Sequence, residues 1–292
     1  MNIGVFDSGF GGLTVLRALL ERIPAANYTY LGDTARLPYG AKSQATVARY
    51  AVSSALFLVD QGADYLVIAC NTASALALDA IRDAVPVPVL GVIETGANAA
   101  RATSQTGDVL VIATSATVES HAYAAACKER GLRAFEKACP LLVPLVEEGW
   151  TNHPVTEEVL RIYMNELMSE AAQAESNRQL RPDTLRPDTL VLGCTHYPLL
   201  RANIERALAS MPDAASAEEP KKPLTIRVID SADATADQVA ATLCLPASLC
   251  AQDEESHSRI FYATDSVAKF RNLGTRFLGL PIDEVQLIDL GG

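Results

Sequence analysis

The sequence predicts an α/β protein of two similar lobes, each a mostly parallel sheet flanked by helices, with the active site in the cleft between them. Three observations lead there. Apolar strand-like runs alternate with helical patterns along the chain, which is the signature of βα units. A length of 292 residues is about twice that of a typical domain. One phrase also occurs twice, as Leu66-Val67-Ile68-Ala69-Cys70-Asn71-Thr72 and as Leu190-Val191-Leu192-Gly193-Cys194-Thr195-His196.

Strand-like runs fall at Asn2-Phe6, Tyr28-Leu31, Tyr65-Cys70, Val87-Val92, Asp108-Thr114, Thr189-Cys194, Ile226-Ile229 and Ile260-Ala263. In the repeated phrase four apolar residues follow one another without alternation before each cysteine, as in strands buried on both faces. Between the first two, Leu13, Leu16, Leu20 and Ile23 recur at helical spacing and stop at Pro24. From Ser43, Val52, Leu56 and Val59 repeat the pattern before Gly62. Ile112-Ala113-Thr114-Ser115 stands to the second cysteine strand as Val5-Phe6-Asp7-Ser8 stands to the first. The duplication therefore assigns residues 1–97 to a first lobe and 98–211 to a second. Ile226-Ser231 reads as a further strand and helix, with which the chain crosses back so that 212–292 completes the first lobe. Two stretches read as flexible surface. One is the tandem Leu180-Arg181-Pro182-Asp183-Thr184 and Leu185-Arg186-Pro187-Asp188-Thr189, and the other is the loop 212–223 with its three prolines and Lys221-Lys222.

Composition narrows the function. With 49% hydrophobic and 20% charged residues the chain is an ordinary globular protein, and a net charge of −11 disfavours an electrostatic grip on nucleic acid or an anionic membrane. Met1-Asn2-Ile3-Gly4-Val5-Phe6-Asp7 shows no basic leader or cleavable apolar stretch, and no apolar run reaches the roughly 18 residues of a membrane span. The expected location is the cytoplasm, where the six cysteines are thiols.

Each repeated cysteine is expected at the carboxyl end of a buried strand, just before a helix whose free backbone amides stabilise a thiolate or a carboxylate. A lone strand-end cysteine is usually a small buried hydrophobe. A matched pair instead suggests two acid/base groups along one cleft. Cys127, Cys139, Cys244 and Cys250 lack that setting. Cys194-x-His196 with a remote Cys70 fits no common zinc spacing, and a Cys/His hydrolase would leave the second thiol unexplained. Asp7-Ser8-Gly9-Phe10-Gly11-Gly12 is glycine-rich at a strand end, suited to close approach of a ligand or simply to a tight turn. It lacks the third glycine of a dinucleotide fingerprint. Asp7 can tune Cys70, and His196 can tune Cys194 or be a core histidine. Leu37-Pro38-Tyr39-Gly40 reads as a rigid loop near the same edge. Asn71, Thr72, Thr114, Thr117 and Thr195 add uncharged donors suited to a small carboxylate, although threonines also serve as ordinary helix caps.

Taken together, these residues make the chain closely similar to the glutamate racemases of the aspartate/glutamate racemase superfamily. The motifs that carry the resemblance are Ile3-Gly4-Val5-Phe6-Asp7-Ser8-Gly9, Gly32-Asp33-Thr34, Pro38-Tyr39-Gly40, Ala69-Cys70-Asn71-Thr72-Ala73, Ala113-Thr114-Ser115-Ala116-Thr117, Gly193-Cys194-Thr195-His196-Tyr197-Pro198 and Ile229-Asp230-Ser231. The resemblance implies a cofactor-independent interconversion of L- and D-glutamate that supplies D-glutamate for peptidoglycan. Cys70 and Cys194 would be the catalytic thiols, assisted by Asp7 and His196. Substrate contacts would come from Asp7, Ser8, Tyr39, Gly40, Asn71, Thr72, Thr195 and His196, with Thr114, Thr117 and Glu147 as further candidates. It implies no metal, and a homo-oligomer, most simply a dimer.

The chemistry requires one thiolate and one thiol on opposite faces of the α-carbon, with both thiols tuned toward neutral pH. Pyridoxal chemistry would need a protected lysine, and Lys42, Lys128, Lys137, Lys221, Lys222 and Lys269 all stand in polar contexts. The rivals are a racemase of aspartate or hydantoins, a single-cysteine decarboxylase of the same superfamily, which the second Cys-Thr-His disfavours, and a non-catalytic two-lobed solute-binding protein.

Overall fold

Fully buried apolar segments set the centre of each sheet. The computed structural model describes residues 1–177, 187–211, 226–243 and 257–291, with the side chains of 175–177 outside the description. The chain divides into two units, Met1–Gly96 with Ser231–Gly292, and Ala97–Asp230.

The first unit holds a six-stranded parallel sheet. Its strands are β1 (Asn2–Asp7), β2 (Asn27–Gly32), β3 (Tyr65–Ile68), β4 (Val89–Gly91), β9 (Arg259–Ala263) and β10 (Gln286–Leu287), in the order β10-β9-β2-β1-β3-β4. Helices α1 (Leu13–Arg22), α2 (Gln44–Asp60), α3 (Asn71–Leu76), α4 (Leu78–Ala84), α11 (Ala232–Thr242) and α12 (Val267–Leu278) belong to it, and α5 (Val92–Thr103) runs across the unit boundary. The helical spacing read between Leu13 and Ile23 is α1, whose residues Leu13 through Leu16 and Ala18 through Leu20 are buried. Ser43 caps α2 by accepting the Thr46 N–H. That N-terminal hydrogen bond satisfies one of the backbone donors a helix start leaves open.

The second unit holds β5 (Asp108–Ala113), β6 (Arg133–Ala138), β7 (Thr189–Gly193) and β8 (Arg227–Asp230), parallel and in the order β6-β5-β7-β8. Its helices are α6 (Ser115–Glu119), α7 (Ala122–Glu129), α8 (Leu142–Glu147), α9 (Pro154–Asn177) and α10 (Arg201–Ala209). Every residue of β3, β5 and β7 is buried, as their unbroken apolar runs require.

Numbered within each unit, the order of the first four strands is 2-1-3-4 in both. In both, the order reverses between the first and third strands, and the crevice at such a reversal is where open α/β sheets bind ligands. The two cysteines follow the third strand of each set, β3 and β7.

The assignment of the chain after 211 needs correction. The strand at 226–230 is β8, and it does not complete the first unit. Its backbone extends the second sheet, pairing Thr189 with Arg227 through Leu192 with Asp230. The Arg201 guanidinium fixes its end by donating to Val228 O and Asp230 Oδ2, each at 2.5 Å. The chain therefore returns to the first unit at Ser231, with α11, rather than at 212. The forward crossing, expected near 97, falls after Gly96. Two strands also escaped notice. β6 is an edge strand whose alternating charges are all engaged: Arg133 with Asp108, Glu136 with His121, and Lys137 with Glu166 and Glu170. β10 is two exposed residues held by pairing with β9. Of the tandem, 180–186 lies outside the described residues, as do the 212–223 loop, Cys244 and Cys250.

The second tandem copy ends in a structural clamp rather than in plain surface. Asp188 Oδ1 accepts from Ser104 Oγ at 2.6 Å and from Thr189 Oγ1 at 3.0 Å. Its Oδ2 accepts the N–H groups of Gln105 and Thr106 at 2.7 and 3.1 Å. The loop between α5 and β5 is thereby tied to the start of β7.

Candidate active site

In the first unit the chemistry gathers at the carboxyl ends of β1, β2 and β3. Register places Phe6 beside Ile68 and Asp7 beside Gly32. Cys70, two residues beyond β3 and 5% exposed, is the N-cap of α3, and its sulfur accepts the Ala73 N–H at 3.4 Å. Its thiol donates to Ser8 Oγ at 3.4 Å. Asp7 is buried, and its Oδ2 accepts the Gly9 N–H at 2.9 Å.

Burial pushes the Cys70 thiol up to about 11, and the Asp7 carboxylate adds to the rise. The Ser8 hydroxyl and the Ala73 and Ser8 amides oppose it by favouring the thiolate. The expected tuning toward neutral pH is thus reversed: desolvation and a like charge outweigh the amides, and Cys70 is held as a thiol.

The glycines beside Asp7 serve packing. A Cβ on Gly12 would fall 2.5 Å from Asp7 Cβ and 2.9 Å from Ala69 Cβ. The Gly9 carbonyl accepts the Tyr30 hydroxyl at 3.0 Å.

Asn71 and Thr72 open α3 and are buried. Tyr39 and Gly40 form a 3₁₀ turn, Tyr39–Ala41, that packs on α3. The Tyr39 ring lies in the same apolar cluster as Phe6 and Cys70, and its hydroxyl donates to Asp33 Oδ2. Burial, then the Asp33 charge, pushes that phenol far above its ordinary range, so it remains a donor.

In the second unit the corresponding edge carries Thr114 after β5 and Cys194 after β7. Thr114 caps α6, accepting the Thr117 N–H at 3.4 Å, and its hydroxyl lies 2.9 Å from that of Thr117. Cys194 is 6% exposed. A 3₁₀ turn, Tyr197–Leu200, separates it from α10. This differs from the expected helix start, because Pro198 enters at the first turn and the regular helix begins only at Arg201.

His196 Nδ1 stands 4.0 Å from Cys194 Sγ, and its Nε2 stands 3.3 Å from Glu147 Oε1 at the end of α8. An ionised carboxylate only accepts, so Nε2 carries the proton it donates to Glu147. Nδ1 is the ring nitrogen turned toward the Cys194 thiol. His196 is thus buried and lies within reach of both the thiol and the carboxylate. Thr195, between Cys194 and His196 in the chain, is buried. Tyr197 secures the turn, donating through its hydroxyl to Cys139 O at 2.9 Å. Gly193 stands where the first copy has Ala69, because a Cβ there would lie 2.9 Å from the Tyr123 ring and 3.0 Å from Ala113 Cβ.

Strand register also corrects the alignment of the halves. Phe6 pairs with Ile68, and Ile112 pairs with Leu192. Ser8 therefore corresponds to Thr114, and the counterpart of Asp7 is Ala113. The halves differ in how each thiol is served: a carboxylate one strand away in the first, a histidine two residues on in the second.

Sequence reasoning gave no role to Asp33, Arg36 or Thr264. Asp33 is fully buried and accepts from Arg36 Nε at 2.9 and 2.7 Å, from Tyr39, and from Thr264 Oγ1 at 2.9 Å. Its position just past β2, at the same edge as Asp7, was the available signal. Among the described residues no three His, Cys, Asp or Glu side chains group so as to hold a metal ion.

Fold and sites define a duplicated, doubly wound α/β protein with a buried cysteine at the switch point of each sheet. The chain belongs to the Asp/Glu/Hydantoin racemase family, whose model matches residues 3–239. It is 50% identical over 296 residues to the glutamate racemase of Koribacter versatilis strain Ellin345, covering 99% of this chain and 98% of that one. It is 43% identical to that of Syntrophus aciditrophicus strain SB, covering 99% and 96%. Among solved structures it is similar to glutamate racemase from Francisella tularensis in complex with D-glutamate, with a TM-score of 0.79, 31% identity, and coverage of 99% and 97%. It is also similar to glutamate racemase from Thermus thermophilus in complex with β-chloro-D-alanine, with a TM-score of 0.78, 39% identity and the same coverage.

Proposed function

We propose that this protein is an amino-acid racemase that interconverts L- and D-glutamate without a cofactor, using Cys70 and Cys194 as paired acid and base. The observation that carries the reading is the repeated strand-end thiol, each copy with its own ionisable neighbour. The glutamate racemases of similar sequence and structure supply the substrate.

The reaction removes the α-proton on one face and returns a proton on the other. Burial and Asp7 hold Cys70 as a thiol, the ready acid. Cys194 faces a histidine able to take its proton and is the ready base. The Cys194 thiolate takes the α-proton, the electron pair stays on the substrate as a carbanion delocalised into its carboxylate, and the Cys70 thiol delivers a proton to the opposite face. The two sulfurs finish with exchanged roles, and the reverse pass restores them.

Ser8, Asn71, Thr72, Thr114, Thr117 and Thr195 supply uncharged donors for the substrate carboxylates, which take more charge as the proton leaves. Tyr39 and Gly40 border the Cys70 side. An α-ammonium group beside Asp7 would cancel the charge that helps keep Cys70 protonated. Glu147 steadies the imidazolium that forms when His196 takes a proton.

Among the described residues no helix is long and apolar enough to cross a membrane. Cytoplasmic supply of D-glutamate to cell-wall synthesis, by a homodimer, is the setting that fits this activity.

Purified protein with L-glutamate and no added cofactor should lose optical rotation until the enantiomers are equal. In deuterated buffer the newly formed enantiomer should carry α-deuterium while early recovered substrate does not. Cys70→Ala and Cys194→Ala should each abolish turnover, and activity retained in either would overturn the two-thiol assignment.

A further inference from the structure

We propose that Thr264, at the carboxyl end of β9, is a positioning residue for the Cys70 half-site and acts through the Asp33 carboxylate; this rests on the racemase reading above. Thr264 lies beyond the residues the family model matches, 3–239. Its hydroxyl nevertheless makes two bonds to the Asp33 loop. It donates to Asp33 Oδ1 at 2.9 Å and accepts the Ala35 N–H at 2.9 Å.

The backbones around it interlock. Thr264 N donates to Gly32 O at 3.3 Å, Thr34 Oγ1 donates to Asp265 O at 2.6 Å, and Asp265 N donates back to Thr34 Oγ1 at 2.9 Å.

A buried charge needs all its lone pairs engaged, and the geometry of Asp33 is set by who engages them. Arg36 spans both carboxylate oxygens, Thr264 fixes Oδ1, and Oδ2 is left to hold the Tyr39 hydroxyl. Tyr39 begins the turn that packs on α3, whose N-cap is Cys70. The Asp33 backbone N–H also donates to Asp7 O at 3.0 Å, so the same residue holds the end of β1. With every contact of its carboxylate structural, Asp33 is an anchor, and Thr264 sets the direction in which it holds Tyr39.

Thr264→Val keeps the shape and removes both hydroxyl bonds, whereas Thr264→Ser keeps them. Racemisation by optical rotation, thermal melts of each variant, and a double-mutant cycle with Tyr39→Phe test the idea. On folded protein, T264V should lower kcat/KM about tenfold, and T264S should return it to within about twofold of wild type. Y39F combined with T264V should cost less than the product of the separate losses. Should the valine variant not fold, Thr264→Ala removes the same hydroxyl with less bulk.

Wild-type kcat and KM in T264V with only a lower melting temperature would confine Thr264 to holding the sheet edge and overturn the proposal. Fully multiplicative losses in the cycle would also overturn it. A wild-type protein that fails to racemise glutamate defeats the underlying reading and this one with it, before any Thr264 variant is made.

Discussion

The protonation of Cys70 offers the sharpest test, because neighbours in sequence act on it with opposite signs. Burial and then Asp7 push the thiol up to about 11, against hydrogen bonds from the Ser8 hydroxyl and the Ala73 and Ser8 amides. A rise of that size corresponds to roughly 3 kcal/mol in favour of the thiol over the thiolate, and at about pH 8 it leaves on the order of one thiolate per thousand molecules. Asp7→Asn keeps the burial and removes the like charge, so the midpoint falls. Ser8→Ala removes a donor to the thiolate, so the midpoint rises. The assay is alkylation of Cys70 by iodoacetamide across the neutral and alkaline range, read from the Cys70 peptide by mass spectrometry. The pH dependence matters, not the absolute rate, which burial slows in every variant. Saturating glutamate should protect the thiol. A ligand-free wild-type midpoint near neutrality, or both variants moving the same way, would refute the reasoning.

Three further outcomes are expected. Glu147→Gln keeps the shape around His196 but removes the charge that steadies its protonated form, so kcat should fall about tenfold or more in steady-state racemisation; unchanged kcat would exclude Glu147 from the site. Burial raises the Asp188 carboxyl, but its hydrogen bonds from Ser104, Gln105, Thr106 and Thr189 outweigh this and hold it below the usual carboxylate range. Its stabilisation is therefore full above the unfolded carboxylate value and is lost as pH falls through the folded one. Asp188→Asn leaves one oxygen for the two loop amides but puts an NH2 donor where Oδ1 accepts from Ser104 and Thr189, and should cost about 1–3 kcal/mol in neutral denaturant melts and less in acid ones. Gly12→Ala should lower stability by about 1–3 kcal/mol, since the new methyl meets Asp7 and Ala69 at 2.5 and 2.9 Å; an unshifted melt would show that the loop can yield.

Much of the fold was legible because its cause is local. Unbroken apolar runs made β3 and β7 readable as doubly buried strands, and helical spacing marked α1; in α2 the buried residues are Val47, Ala51, Ser54, Ala55 and Leu58 rather than the row Val52, Leu56 and Val59, of which Leu56 is exposed. β6 was missed because an edge strand is half exposed, and its charges looked like surface until Asp108, His121 and the glutamates of α9 were seen to engage them. β8 was read as a strand but given to the wrong unit, since pairing partners are not written in a strand's own sequence. The one-residue offset that equates Asp7 with Ala113 had the same origin: motif likeness aligned letters, and only the ladders aligned strands.

By itself the sequence determined the α/β class, the duplication and the strand-end setting of Cys70 and Cys194, because periodicity and repetition act between residues close along the chain. Tertiary structure alone decided that Glu147 meets His196 across 49 positions and that Thr264 meets Asp33 across 231. It alone decided that Cys70 is held protonated. A thiol's charge state depends on every atom that displaces water or carries charge around it, and most of those atoms come from elsewhere in the chain.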